Sequence, residues 1–175
     1  VLDPDGRPLR EFSIIEAFVR SGYGAKFYSL REACNPTHLN SIDHLHIRGN
    51  MPQPLATVAK KHGIRCFRCP ADKIRPPSLK LEPDRVTAVQ EYHQSAVNAI
   101  SVYAQQRMRS TESFGGAALM GFLTPDLLIE TIKALPVGLT ELMVHPGHPA
   151  AETGFEGPER EQELKALTDP RLKPL

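Results

Sequence analysis

The order of apolar and polar positions cuts this chain into short elements. The run Leu139-Thr-Glu-Leu-Met-Val-His-Pro-Gly147 is nearly continuously apolar up to Val144, as in a strand covered on both faces. Pro146 removes a backbone donor and Gly147 permits a bend, so pairing is expected to stop just after His145. An earlier strand is expected near residues 37–41, with Leu39, Leu45 and Ile47 at alternating apolar positions and Asp43, His44 and His46 in the loop that follows. Residues 63–70, Gly-Ile-Arg-Cys-Phe-Arg-Cys-Pro, read as another strand with Ile64 and Cys66 inward and Phe67 a further candidate for the inner face. Residues 110–116 form a short extended segment leading into a Gly turn.

Between these runs the period lengthens to that of a helix. Residues 52–61 open on proline and end in Lys-Lys-His-Gly, good chemistry for the two ends of a helix. The longest helix is expected over 84–108, with Asp84 as its cap and Val86, Val89, Val97, Ile100, Tyr103 and Ala104 recurring at helical spacing. Thr124 caps a further helix, with Pro125 at its first position and an end near residue 135. Residues 158–167 carry acidic side chains in their first turn, and Thr168-Asp-Pro170 ends the helix. Shorter helices are expected at 11–19 and 30–34. Strand and helix alternate, which predicts the α/β class: parallel strands joined by crossover helices. Four such units make a small open sheet or a partial (β/α) TIM-like barrel.

Composition narrows the classes. The chain has 175 residues, 41% of them hydrophobic and 23% charged, enough for one domain with a sizeable core. A formal net charge of +1 provides no field for nucleic acid or membrane. Three cysteines make no even disulfide framework, so a reducing, cytoplasmic setting is expected. No transmembrane run or signal peptide is visible. The chain opens Val1-Leu-Asp-Pro-Asp-Gly6, without an initiator Met and already in a turn; the expectation is one domain over 1–175 whose N-terminal strands are missing. Half a barrel has open sheet edges and exposed apolar faces, so a homodimer or poor solubility is expected.

The candidate chemistry centres on histidine. His145, at the C-terminal end of a parallel strand, stands where α/β folds place reacting groups. His38, Asp43, His44 and His46 lie within nine residues, a dense set of possible metal ligands. In an extended backbone His44 and His46 would point the same way. The alternative is a polar loop whose histidines cap backbone groups. Cys66-Phe-Arg-Cys69 has C-x-x-C spacing but neither opens a helix nor finds a second pair, so two ordinary cysteines are expected. Arg68, at a strand end, could hold an anionic or hydroxyl-bearing group, or make a surface ion pair. His93 reads as a helix-surface or core-edge histidine.

Several pieces, in order, resemble the YdjC-like family of carbohydrate deacetylases. They are Pro36-Thr-His-Leu-Asn-Ser with His44-Leu-His46; Gly63-Ile-Arg with Arg68; Phe114-Gly115 with Gly121-Phe-Leu-Thr124; Pro136 through Gly147; and Arg160 with Glu163-Leu164 and Leu167-Thr-Asp-Pro170. The resemblance implies a metal-dependent hydrolase on a (β/α) barrel that removes acetyl groups from N-acetylated mono- or oligosaccharides. It implies a divalent metal, magnesium or zinc, that polarises the amide carbonyl and activates water, with a carboxylate as base. His145 matches the family's histidine before Pro-Gly and takes the acid role. Asp43, His44 and His46 are the implied metal ligands, and Arg68 and Arg160 the implied substrate contacts. The family's opening Asp-Asp pair and an early ligand histidine have no counterpart in this sequence. In the middle cluster an ungapped match sets Ile42 on a ligand histidine, and sliding by one residue puts Asp43 and His44 there instead. A catalytically inactive sugar-binding or scaffold relative is therefore the alternative function.

Overall fold

The computed structural model describes residues 37–149 and 157–175, so the helices expected at 11–19 and 30–34 lie outside the described residues. The chain divides into two compact units, 1–68 with 99–109 and 69–98 with 110–175.

In the first unit β1 (His38–Leu39) pairs in parallel with β2 (Cys66–Phe67), with Leu39 opposite Phe67. The connection carries a 3-10 turn, Ile42–Ile47, and α1 (Pro52–Lys61). Helix α1 has the expected bounds. Its prolines sit in the first turn, where a missing N–H costs nothing, and the N–H of His62 closes the last turn on Val58 O at 3.1 Å and Ala59 O at 3.2 Å. Ala56 and Ala59 are the buried side of α1. Both strands are shorter than the sequence predicts. Phe67 N donates to Arg109 O and Arg68 N to Leu39 O, each at 2.9 Å, and regular pairing then ends. The core holds Leu39, Ile47 and Met51, and Phe67 stacks on Tyr103 with ring centroids 4.2 Å apart. Such a stack adds about 1 kcal/mol beyond the area it buries.

The second unit repeats the parallel pairing. β3 (Ser113–Gly115) lies beside β4 (Thr140–Leu142), with Phe114 opposite Glu141, and Asp72 makes a further bridge to Phe114. The crossover helix α3 (Pro125–Lys133) starts where expected: the Thr124 hydroxyl accepts the N–H of Leu127 at 3.2 Å. Helix α4 (Pro158–Leu167) also has its expected bounds. Leu128 of α3 and Ala166 of α4 close a core with Leu119 and Leu123.

Helix α2 (Pro83–Gln105) runs from the second unit into the first. It starts at Pro83, so Asp84 stands in the first turn rather than at the cap. Its buried seam differs from the expected one. Val89, Ala96, Ala99 and Tyr103 are buried, while Val86, Val97 and Ile100 face solvent. Steps of seven, three and four residues keep those four positions on one side, and alanines allow close backbone approach.

Parallel strands with crossover helices are thus present. The sheets are two-stranded, and among the described residues they do not close into a barrel. No described helix is long and apolar enough to cross a membrane.

Candidate functional site

In the first unit the histidine cluster is a tight turn, not the extended loop expected. Asp43 and His44 adopt positive φ, 52° and 53°. Each such non-glycine residue costs about 1–2 kcal/mol. The surrounding bonds hold the turn: His44 N donates to Ser41 O at 3.2 Å and Arg48 N to Leu45 O at 3.1 Å. The two rings therefore do not alternate as on a strand; they meet edge to face, centroids 6.1 Å apart and planes at 79°. His44 and His46 are buried, and Asp43 is exposed.

His46 is fastened by its ring. Its Nε2 lies 2.8 Å from Arg68 O, a group that can only accept, so Nε2 carries the proton. Ser41 Oγ accepts the backbone N–H of His46 at 3.0 Å and gives its own hydrogen to Nδ1 at 2.7 Å. The Tyr103 hydroxyl donates to His46 O at 2.6 Å. Burial pushes the Tyr103 phenol well above its ordinary range, so it remains a donor. A metal on His46 would have to displace one of these ring bonds. A metal site needs several convergent donors. Among the described residues no three His, Cys, Asp or Glu side chains form a group that could hold one, so these residues alone do not fit the implied metal. Arg68 contributes through its main chain, its N–H to Leu39 and its carbonyl to His46.

In the second unit β4 ends at Leu142, earlier than expected, and Leu139 is 65% exposed rather than buried. Met143 N still donates to Gly115 O at 2.9 Å. Two residues later the pairing is lost because helix α4 claims the chain: His145 N–H donates to the Glu163 carboxylate. Arg160 Nε donates to His145 O at 3.3 Å, and its Nη2 to Pro146 O at 3.4 Å. Gly147 N returns to Arg160 O at 3.2 Å. A side chain at Gly147 would run into the Arg160 guanidinium, which would have to swing aside and give up its bonds to this turn. Arg160, implied as a substrate contact, thus braces the turn after His145.

Three residues outside the expected set shape this unit. Glu163, 2% exposed, accepts from His145 N and, at 3.4 Å, from Gly121 N. Asp72 accepts from Ala118 N at 2.8 Å and Ile74 N at 3.2 Å, and pairs with Arg75 at 2.9 Å. Arg85 donates to Ala117 O at 2.9 Å and Met120 O at 2.7 Å. Asp72 and Arg85 thereby take the two sides of the Ala117–Ala118 peptide in the turn that follows Gly116, and Arg85 reaches on to Met120. That glycine, at φ 118°, lies so close to the Met143 backbone that no Cβ fits. The signals for this turn were its glycines. Glu163 gave one signal, its place in the matching piece Arg160 with Glu163-Leu164.

Cys66 and Cys69 are both free thiols, and burial raises the pKa of Cys69, which makes it a poor nucleophile. The ordinary-cysteine reading fits this chemistry.

A family model described as YdjC-like protein matches residues 26–175. A protein of Mus musculus named carbohydrate deacetylase is 27% identical over 202 aligned positions, which cover 99% of this chain. The chain spans 65% of that relative's length. No solved structure matches.

Proposed function

We propose, from the premise that this chain belongs to the YdjC-like family, that it acts in removing acetyl groups from N-acetylated mono- or oligosaccharides. The observation that carries the proposal is the family match over residues 26–175, joined by a mouse relative whose name is carbohydrate deacetylase. The proposal includes a partial (β/α) barrel as the frame, a cytoplasmic setting and dependence on a divalent metal, magnesium or zinc. Such a metal would polarise the amide carbonyl, and it would need ligands beyond Asp43, His44 and His46, since among the described residues these do not form a site by themselves.

His145 is the proposed general acid. Cleaving an acetamide expels an amine, which leaves far more readily once protonated. Bonds to the peptide groups on both sides of His145 fix the origin of its side chain, which supports a role that needs geometry. Arg68, exposed in part, is the proposed contact for sugar hydroxyls.

The inactive relative remains a second reading, favoured by one observation: both ring nitrogens of His46 lie on protein partners. One experiment separates the two. Acetate release from N-acetylglucosamine and its oligomers is measured with magnesium, with zinc and with chelator. The proposal expects metal-dependent release, and His145→Ala should lower kcat by about 10²–10⁴-fold while the thermal midpoint holds. Sugar binding without any acetate release would establish the inactive reading. Unchanged turnover in His145→Ala would remove that residue from the mechanism.

A further inference from the structure

We infer that helix α4 is the positioning element for His145, and that Glu163 is the residue through which it chiefly acts. The inference rests on the reading of His145 as proton donor. Arg160 and Glu163 stand three residues apart, on one face of α4. Between them they hold both peptide groups of one residue. Glu163 accepts the N–H of His145, and Arg160 Nε donates to its carbonyl at 3.3 Å. An anion on the N–H and a cation on the C=O are charge-assisted bonds, about twice as strong as neutral ones. Together they restrain φ and ψ of His145 and hence the direction of its Cα–Cβ bond.

The chemistry of the position calls for a carboxylate. Glu163 is 2% exposed, and burying an ion is costly unless its oxygens are satisfied. Its second oxygen accepts from Gly121 N at 3.4 Å, so one side chain ties the His145 segment to the glycine turn. Glutamine has the same shape but one acceptor oxygen; its amide N–H₂ would face a backbone donor. Glu163 is a positioning residue in this account, because it reaches His145 through the peptide and not through the reaction.

The test uses Glu163→Gln, with Arg160→Gln as a second variant should the first fail to fold. Acetate release is measured as kcat and KM separately, and the His145 amide proton is followed by NMR. A misplacement of about 1 Å can cost on the order of 10²-fold in rate. Glu163→Gln should therefore lower kcat by about that factor with KM little changed, and the His145 amide resonance should move upfield. In a His145→Ala background, Glu163→Gln should slow the reaction no further, since the group it positions is gone. Arg160→Gln should lower kcat by about tenfold, again with KM little changed. An unchanged kcat, an additive loss in the double variant, an unmoved amide, or a rise in KM alone would each overturn the inference. If the wild-type chain releases no acetate, the deacetylase reading fails separately. The amide then decides for the clamp: moved, the clamp stands; unmoved, it falls.

Discussion

At His46 the ring is what the protein fastens: Ser41 Oγ and Arg68 O each lie on one of its nitrogens. At His145 it is the main chain that is fastened, N–H to Glu163 and C=O to Arg160. These are different uses of the same residue. An imidazole with both nitrogens on protein groups links a turn to a strand, and gains stability from a neutral, fully satisfied ring. At His145 the two main-chain bonds set where the side chain starts and which way it leaves the backbone. Burial agrees with the contrast, since His46 is fully buried while His145 is only half-buried.

The contrast is broken most directly by exchanging the expected losses. His46→Ala leaves the Ser41 hydroxyl and the Arg68 carbonyl without their ring partner and opens a cavity beneath the turn. Each buried polar group left without a partner costs about 1–3 kcal/mol, so the folded state should lose roughly 3 kcal/mol in a urea titration. His145→Ala should lose less than about 1 kcal/mol in the same titration, and lose activity instead. Equal losses from the two variants would remove the distinction.

A smaller effect sharpens the His46 side. Tyr103→Phe removes only the hydroxyl that donates to His46 O at 2.6 Å and leaves the stack on Phe67 in place. The expected cost is about 1 kcal/mol at neutral pH. The pH dependence has a definite sign. The phenol titrates at 10.0 in the open chain and higher in the fold. Its contribution is therefore complete below that pH and declines as pH rises through it, because the unfolded chain ionises first. The stability gap between wild type and Tyr103→Phe should narrow from pH 8 to pH 11 in urea midpoints. A gap that widens would mean that the phenolate is accommodated in the core.

What the sequence made legible follows from the range of the forces involved. Helices α1 and α4 have the bounds expected for them, and the Thr124 cap is where it was expected, because proline starts and hydroxyl caps act over three or four residues. Strand ends were misjudged because pairing depends on a distant partner: the apolar run through Val144 continues past β4, but Glu163 takes the N–H of His145. The turn at Asp43 and His44 was unreadable for the same reason. Neither residue prefers positive φ strongly enough to announce it, and the bonds that impose it come from Ser41, Arg68 and Tyr103. On α2 the larger valines suggested the seam, and the alanines occupy it. Glu163 entered the sequence reading only through the resemblance, as part of the piece Arg160 with Glu163-Leu164, with no role attached. Only the backbone donors opposite it reveal that it is buried.

The smallest effect concerns the division into units itself. Thr124 belongs to the second unit, and its hydroxyl accepts Leu127 N at the start of α3. Thr124→Ala should cost about 1 kcal/mol, the usual worth of such a cap. By hydrogen exchange that is about a fivefold loss of protection wherever opening involves α3. Because α3 and α4 share the Leu128–Ala166 core, both should lose protection together. If the two units open separately, α1 amides keep theirs. An equal loss in α1 would mean that the whole chain opens as one cooperative body. In that case the stability difference between His46→Ala and His145→Ala would have to be read as a property of the entire fold, since neither histidine would then report on its own unit.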